Sequence, residues 1–239
     1  MKLQDILSPH FRKPRKPLTP LIQVASDSDF CQDVVAKGLL TIDQMCHASE
    51  CYRLGKSKSG KCIFWMIDEL GIVRDGHLGG TWVSQLLKAR EPKFLQSWHP
   101  THCLFGLHLL SHTEITENTE IKSVSSVKSV VENMPIAIVE SEASAVVLSE
   151  LFPESLWMAY VSTPHLAPDL LAPLEGCIVT IYPRTDPTLS TYLFFQEYAE
   201  QVRRHYDIHL SVSSLLEDHA TPSQKQRKID LVDFLFEDQ

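Results

Sequence analysis

With 239 residues, 44% of them hydrophobic, the chain can bury one large core or two small ones, which excludes a disordered polymer. Its formal charge of −8 excludes binding to nucleic acid by bulk attraction, and no apolar run approaches the ~18 residues that a membrane span needs. The charge is uneven: residues 1–112 hold 14 basic and 10 acidic side chains and residues 113–239 hold 8 and 20, so a mildly basic front precedes an acidic back.

The N-terminal MKLQDILSPHFRKPRKP has no apolar segment ahead of a cleavage site, and the six cysteines are scattered through the chain. Both features predict a cytoplasmic protein with reduced thiols and no membrane partner. Residues 1–26 read as a basic arm, because Pro9, Pro14, Pro17 and Pro20 oppose helix. Arg12, Lys13, Arg15 and Lys16 make this arm the first candidate contact for nucleic acid, against the plainer reading of a solvated surface.

Residues 27–112 predict a smaller α+β region. SDSDFCQDVV offers Ser and Asp caps before an apolar stripe, and Thr41-Ile-Asp-Gln44 opens a second helix in the manner of a capping box. Lys56, Lys58 and Lys61 form a second basic cluster in the following loop. KCIFWMID (61–68) and IVRDGH (72–77) around the turn Glu69-Leu-Gly71 predict a hairpin, and 82–88 and 104–110 predict short helices. Trp65, Trp82 and Trp98 could stack on bases, with a core role preferred for Trp65 because it lies within a strand. Zinc on Cys46, His47, Cys51 and Cys62 is weighed and set aside for want of a CxxC pair, and His99, His102, His108 and His112 lack the acid of an HExxH site, so no zinc is expected.

Residues 113–133 are polar and contain neither Gly nor Pro, and they predict a flexible joint with room for a short helix. Residues 134–239 have the rhythm of an α/β domain. Apolar runs at 136–139, 156–161, 177–182 and 208–212 alternate with helical segments at 144–151, 168–174 and 189–206. This alternation predicts a mainly parallel sheet covered on both faces, with its site at the carboxyl ends of the strands. Glu140 and Glu142 follow the first of these strands; they are either site acids or ordinary first-turn acids favoured by the helix dipole. A third basic cluster, Lys225, Arg227 and Lys228, lies near the end of the chain.

The strand ending in Ile-Val-Glu140-Ser-Glu142, followed by a helix and a later strand ending near acids, resembles the toprim domain of bacterial primases and topoisomerases. PKFLQSWHP (92–100) followed by CLFGLHLL (103–110) is similar to the segment ahead of toprim in DnaG-type primases. More narrowly, KCIFWMID, WVSQLLK, CLFG and IVESE in that order resemble an uncharacterised primase-related family common on mobile elements of Bacteroides-type bacteria. The resemblance covers about residues 27–239 apart from the joint. It implies a toprim-like fold, Glu140 and Glu142 as catalytic acids, magnesium held near Asp186, and single-stranded DNA and replication or mobilisation proteins as partners.

Phosphoryl transfer needs divalent ions between carboxylates and phosphate oxygens, with a further carboxylate to move a proton. The sequence departs from that pattern in four places. Ala143 stands where many relatives carry lysine; Val161-Ser-Thr-Pro164 replaces a Gly-rich turn; the joint is long; and Tyr182-Pro-Arg184-Thr-Asp186 puts arginine where relatives place a metal-binding aspartate. A guanidinium cannot lose its proton, so Arg184 opposes a cation and is expected to pair with Glu140, Glu142 or Asp186. The sequence therefore predicts a toprim-like protein with a degenerate metal site that binds nucleic acid or acts as a scaffold in mobile-element replication or transfer. A magnesium-dependent nucleotidyl transferase or nuclease and a protein-interaction module are the alternatives.

Overall fold

The computed structural model describes residues 23–90, 101–111, 134–161 and 166–237. The front begins with helices α1 (Asp29–Ala36) and α2 (Ile42–Cys51). Ser28 caps α1 through Cys31 N, and Thr41 and Gln44 close the capping box expected for α2. Strands β1 (Gly55–Lys56), β2 (Cys62–Ile67), β3 (Val73–Leu78) and β4 (Thr81–Trp82) follow as an antiparallel sheet in chain order, then helix α3 (Val83–Arg90). The predicted hairpin is β2–β3. Its turn is held by the buried Asp68 carboxylate, which accepts from Leu70 N at 3.0 Å, Ile72 N at 2.8 Å and Arg74 Nε at 2.6 Å.

The helix expected over 104–110 is split. Residues 107–111 form a short 3-10 helix, while Phe105 makes an antiparallel bridge to Ala159, with N–H···O bonds of 2.9 and 3.1 Å. That bridge caps the free edge of a second sheet, and the turn after it is tight. Gly106 has φ +84°, and a Cβ there would lie 3.0 Å from Trp157 O and 3.1 Å from the Tyr52 ring, so only glycine fits.

The second sheet contains β5 (Ile136–Val139), β6 (Leu156–Ala159), β7 (Ile178–Ile181) and β8 (His209–Val212), all parallel, in the order β6-β5-β7-β8. Helix α4 (Glu142–Leu151) joins β5 to β6, the 3-10 segment Pro168–Leu174 precedes β7, and helix α5 (Ser190–His205) joins β7 to β8. Three short helices follow: α6 (Leu215–His219), α7 (Pro222–Arg227) and α8 (Leu231–Phe236), none of them anticipated from the sequence. The α/β class with a parallel sheet holds.

The two-residue period of the strands divides the sheet into two cores. Ala137, Val139, Trp157 and Ala159 face α1, α2, α4 and Leu231 of α8, whereas Ile136, Ile138, Met158, Val179 and Ile181 face Phe195, Ala199 and Val202 of α5. The first core is shared: front residues such as Val34, Met45 and Leu54 pack with strand residues of the back. Tyr52 ties the halves together, stacking on Phe105 at 5.0 Å and donating to Trp157 O at 2.7 Å. Among the described residues, no helix is long and apolar enough to cross a membrane. The arm residues Arg12, Lys13, Arg15 and Lys16, the joint and Trp98, His99 and His112 lie outside the described residues.

Candidate functional site at the strand tips

In chain order the parallel strands lie second, first, third, fourth, so the direction of winding reverses between β5 and β7. Helix α4 covers one face and α5 the other, which leaves a crevice beyond the carboxyl ends of β5 and β7. Glu140 leaves β5 at that point, and Arg184 lies in the segment leaving β7. Arg184 Nε donates to Glu140 Oε2 at 3.0 Å, one of the three pairings expected for it. The Glu140 side chain is 24% exposed and that of Arg184 45%, so the pair sits at the mouth of the crevice.

Burial nevertheless dominates Glu140. It lifts the carboxyl above the ordinary glutamate range, against the opposing pull of Arg184 and the Tyr160 hydroxyl, while the Asp230 carboxylate adds a further upward push. The Tyr160 hydroxyl interacts with Glu140 without the alignment of a proper hydrogen bond. Next to it, Val161 has φ +65°, a left-handed conformation that a β-branched residue adopts only under strain. The absent Gly-rich turn is therefore replaced at the very position where a glycine would relax the chain.

Glu142 turns elsewhere. It is buried in the first turn of α4, and its Oε1 lies 2.7 Å from His77 Nδ1 on β3, a close ionic approach that lacks the alignment of a linear hydrogen bond. Glu142 raises the imidazole's pKa, first through this contact, against a smaller lowering by burial. The stability that the pair supplies is present in full below the unfolded histidine's value, ~6.5, and is lost as pH rises through the higher folded value. His77→Gln is expected to flatten the fall in stability between about pH 6 and 8, measured by urea unfolding across that window. An unchanged slope would assign the pH dependence to another group.

Asp186 is buried and fully engaged. Its Oδ1 accepts from Thr188 N at 2.8 Å, Thr188 Oγ1 at 2.6 Å and Ser190 N at 3.2 Å, and its Oδ2 from Thr191 N at 2.7 Å. Burial pushes the carboxyl up, but the hydrogen bonds from Thr188 and Thr191 outweigh it and hold it far below the usual aspartate range. In the structure Asp186 seats the start of α5. Glu140 and Glu142, expected as catalytic acids, and Asp186, expected near magnesium, thus have separate partners: Arg184, His77 and the amides at the start of α5. Among the described residues, no group of three or more His, Cys, Asp or Glu side chains is placed to hold a metal. The cysteines and histidine weighed for zinc are likewise divided. Cys62 is buried near Ser28 and Cys31, while His47 and Cys51 meet each other on α2.

The sequence reading missed two contributors to the crevice, Tyr160 and Asp230. Asp230 caps α8 in a capping box with Asp233 and accepts a hydrogen bond from Ser144 Oγ of α4. The D-x-x-D spacing before an apolar run was a legible helix start, but its approach to Glu140 depends on the fold. In the basic hairpin, Lys56 pairs with Asp27, whereas Lys58 and Lys61 have no ion-pair partner among the described residues. Trp65 lies in the sheet where a Cβ on Gly55 or Gly76 would meet its ring at under 3 Å, yet it is only half-buried and joins neither of the two cores. Trp82 stands between the His77 and His102 rings, at 5.3 and 4.7 Å.

Against known families, a domain of unknown function (DUF6371) matches residues 126–185. That stretch carries β5, α4, β6 and β7, and so includes Glu140, Glu142, Tyr160 and Arg184. No curated protein matches the chain.

Proposed function

We propose that the chain is a toprim-like, primase-related cytoplasmic protein in which an arginine–glutamate pair occupies the place of a divalent ion. On this reading it serves as a nucleic-acid-binding or scaffolding component in the replication or transfer of mobile-element DNA. The observation that carries the reading is the Arg184–Glu140 pair at the winding reversal of the parallel sheet. A permanent cation there supplies the positive charge that the strand-tip acid needs and repels a metal. Lys58 and Lys61, which have no ion-pair partner among the described residues, offer with Arg12, Lys13, Arg15 and Lys16 of the arm local contacts to phosphates that the net charge does not. An active magnesium-dependent nucleotidyl transferase or nuclease is favoured by one observation, the raised Glu140 carboxyl, which suits proton transfer.

Fluorescence anisotropy of a labelled single strand at several salt concentrations tests the binding reading. Affinity is expected to fall with salt, with a log–log slope of about −0.7 per phosphate contacted, and to lose slope when Arg12, Lys13, Arg15 and Lys16 are neutralised together. Binding without salt dependence, or none at all, overturns it in favour of a protein-interaction module. Manganese titration of the wild type and Glu140→Gln separates the enzyme reading. Saturable binding abolished by the substitution promotes it, and none in either protein removes it.

A further inference from the structure

Away from the strand tips, α2 and α4 bring together a cysteine, a histidine and a glutamate in a relay order. Cys51 Sγ lies 3.5 Å from His47 Nε2, and His47 Nδ1 lies 2.7 Å from Glu150 Oε1. His47 and Cys51 are four residues apart on α2 and so share one helix face, while Glu150 reaches across from the last turn of α4. The Glu150 side chain is only 12% exposed, whereas that of His47 is 69% exposed. A largely covered carboxylate therefore holds one nitrogen of an exposed imidazole. A carboxylate at Nδ1 favours, in the neutral ring, the tautomer with Nδ1–H and leaves the Nε2 lone pair facing the thiol. Nucleophile, base and orienting group stand in the arrangement that activates a thiol by proton removal.

We propose that Cys51 is a base-assisted nucleophilic thiol, activated by His47 and positioned by Glu150, and that it is a site of oxidation by small hydroperoxides. The thiol is not a standing thiolate. Burial raises its pKa first, and Glu150 and Glu50 add to the rise; the carbonyl end of α2 acts in the same direction. Tyr52 follows it in the chain, and His108 Nε2 contacts the Cys51 carbonyl at 3.0 Å. Reactivity must therefore come from transfer of the proton to His47 as the new bond forms. With hydrogen peroxide, Sγ–H gives its proton to Nε2 and the sulfur forms a bond to one peroxide oxygen. The O–O bond breaks, and the departing hydroxide recovers the proton as water. Sulfur is oxidised by two electrons to a sulfenic acid, and the peroxide is reduced.

Cys46 is half-buried like Cys51 and, among the described residues, has no histidine beside its sulfur, so it serves as a reference within the same molecule. The test treats the full chain with hydrogen peroxide, traps sulfenic acid with dimedone and measures each cysteine by peptide mass spectrometry. Cys51 is expected to react about tenfold or more faster than Cys46, in keeping with general-base assistance. His47→Gln, at an exposed position that leaves the core intact, is expected to bring Cys51 to within about twofold of Cys46 without changing Cys46; Glu150→Gln should give an intermediate rate. Equal rates at Cys51 and Cys46 in the wild type, or an unchanged Cys51 rate in His47→Gln, would overturn the proposal.

Discussion

Asp186→Ala is expected to destabilise the protein by about 3 kcal/mol, the largest effect of any single change at the strand tips. Loss of a helix cap alone costs ~0.5–2 kcal/mol, and hydrogen bonds to a charged acceptor contribute about 1.5–3 kcal/mol each where water cannot replace them. Four donors lose their acceptor here, three of them backbone amides at the start of α5, but some rehydrate once the carboxylate is gone, so the sum falls well short of four full bonds. Asp186→Asn should fall between the two, since one of its terminal atoms becomes a donor and meets another N–H. Urea unfolding midpoints with constant slope give the difference.

The pH dependence of that difference identifies its cause. The folded carboxyl lies below its unfolded value, so its stabilisation is at full strength above the unfolded value of ~3.9 and declines as the pH falls below it. Wild type and Asp186→Ala should therefore differ most at neutral pH and converge in acid. A difference below about 1 kcal/mol, or one that is constant from pH 7 to 3, would remove Asp186 from the role of cap.

Arg184→Asp should turn the crevice from a closed ion pair into a cation site. Without metal, the substitution removes the guanidinium and gathers an added carboxylate with Glu140 and the nearby Asp230, so the protein should lose stability in chelator. The Arg184 side chain is 45% exposed, so the loss of the pair itself is screened to ~1 kcal/mol, with like-charge repulsion added to it. Manganese should reverse that loss, because a ligand that binds only the folded state stabilises it by about 2.7 kcal/mol at a hundredfold excess over Kd. Thermal unfolding of wild type and variant, in chelator and in millimolar manganese, reads this directly. A metal-dependent rise in the variant alone supports Arg184 as the substitute cation. No rise in either would mean that the acids around β5 cannot converge on an ion even when freed.

Much of this architecture was legible because it depends on local pattern. Thr41 and Gln44 flank an apolar stripe and close a capping box wherever they are placed, and runs such as Ile136-Ala-Ile-Val139 between helical stretches predict parallel strands. That Arg184 would meet one of the acids was expected from the resemblance, which puts arginine where relatives carry a metal-binding aspartate; the fold selected Glu140 among the three. The short helices after β8 were missed because their apolar faces span only five or six residues, too few for a period to show.

Charge and residue type alone could not separate the three acids that the sequence grouped together. Glu140, Glu142 and Asp186 all sit near strand ends, yet one meets Arg184, one meets His77 from the front sheet, and one seats α5. The last two outcomes depend on partners brought by packing, 65 residues away in the case of His77, and on a turn whose amides point inward. The amino-acid sequence by itself determined the α/β alternation and the helix starts, because these rest on periodicity and neighbouring chemistry. Only the tertiary structure decided which carboxylates remain at the crevice and that Cys51, His47 and Glu150 meet, because both depend on how the faces of the front helices and of α4 share one core.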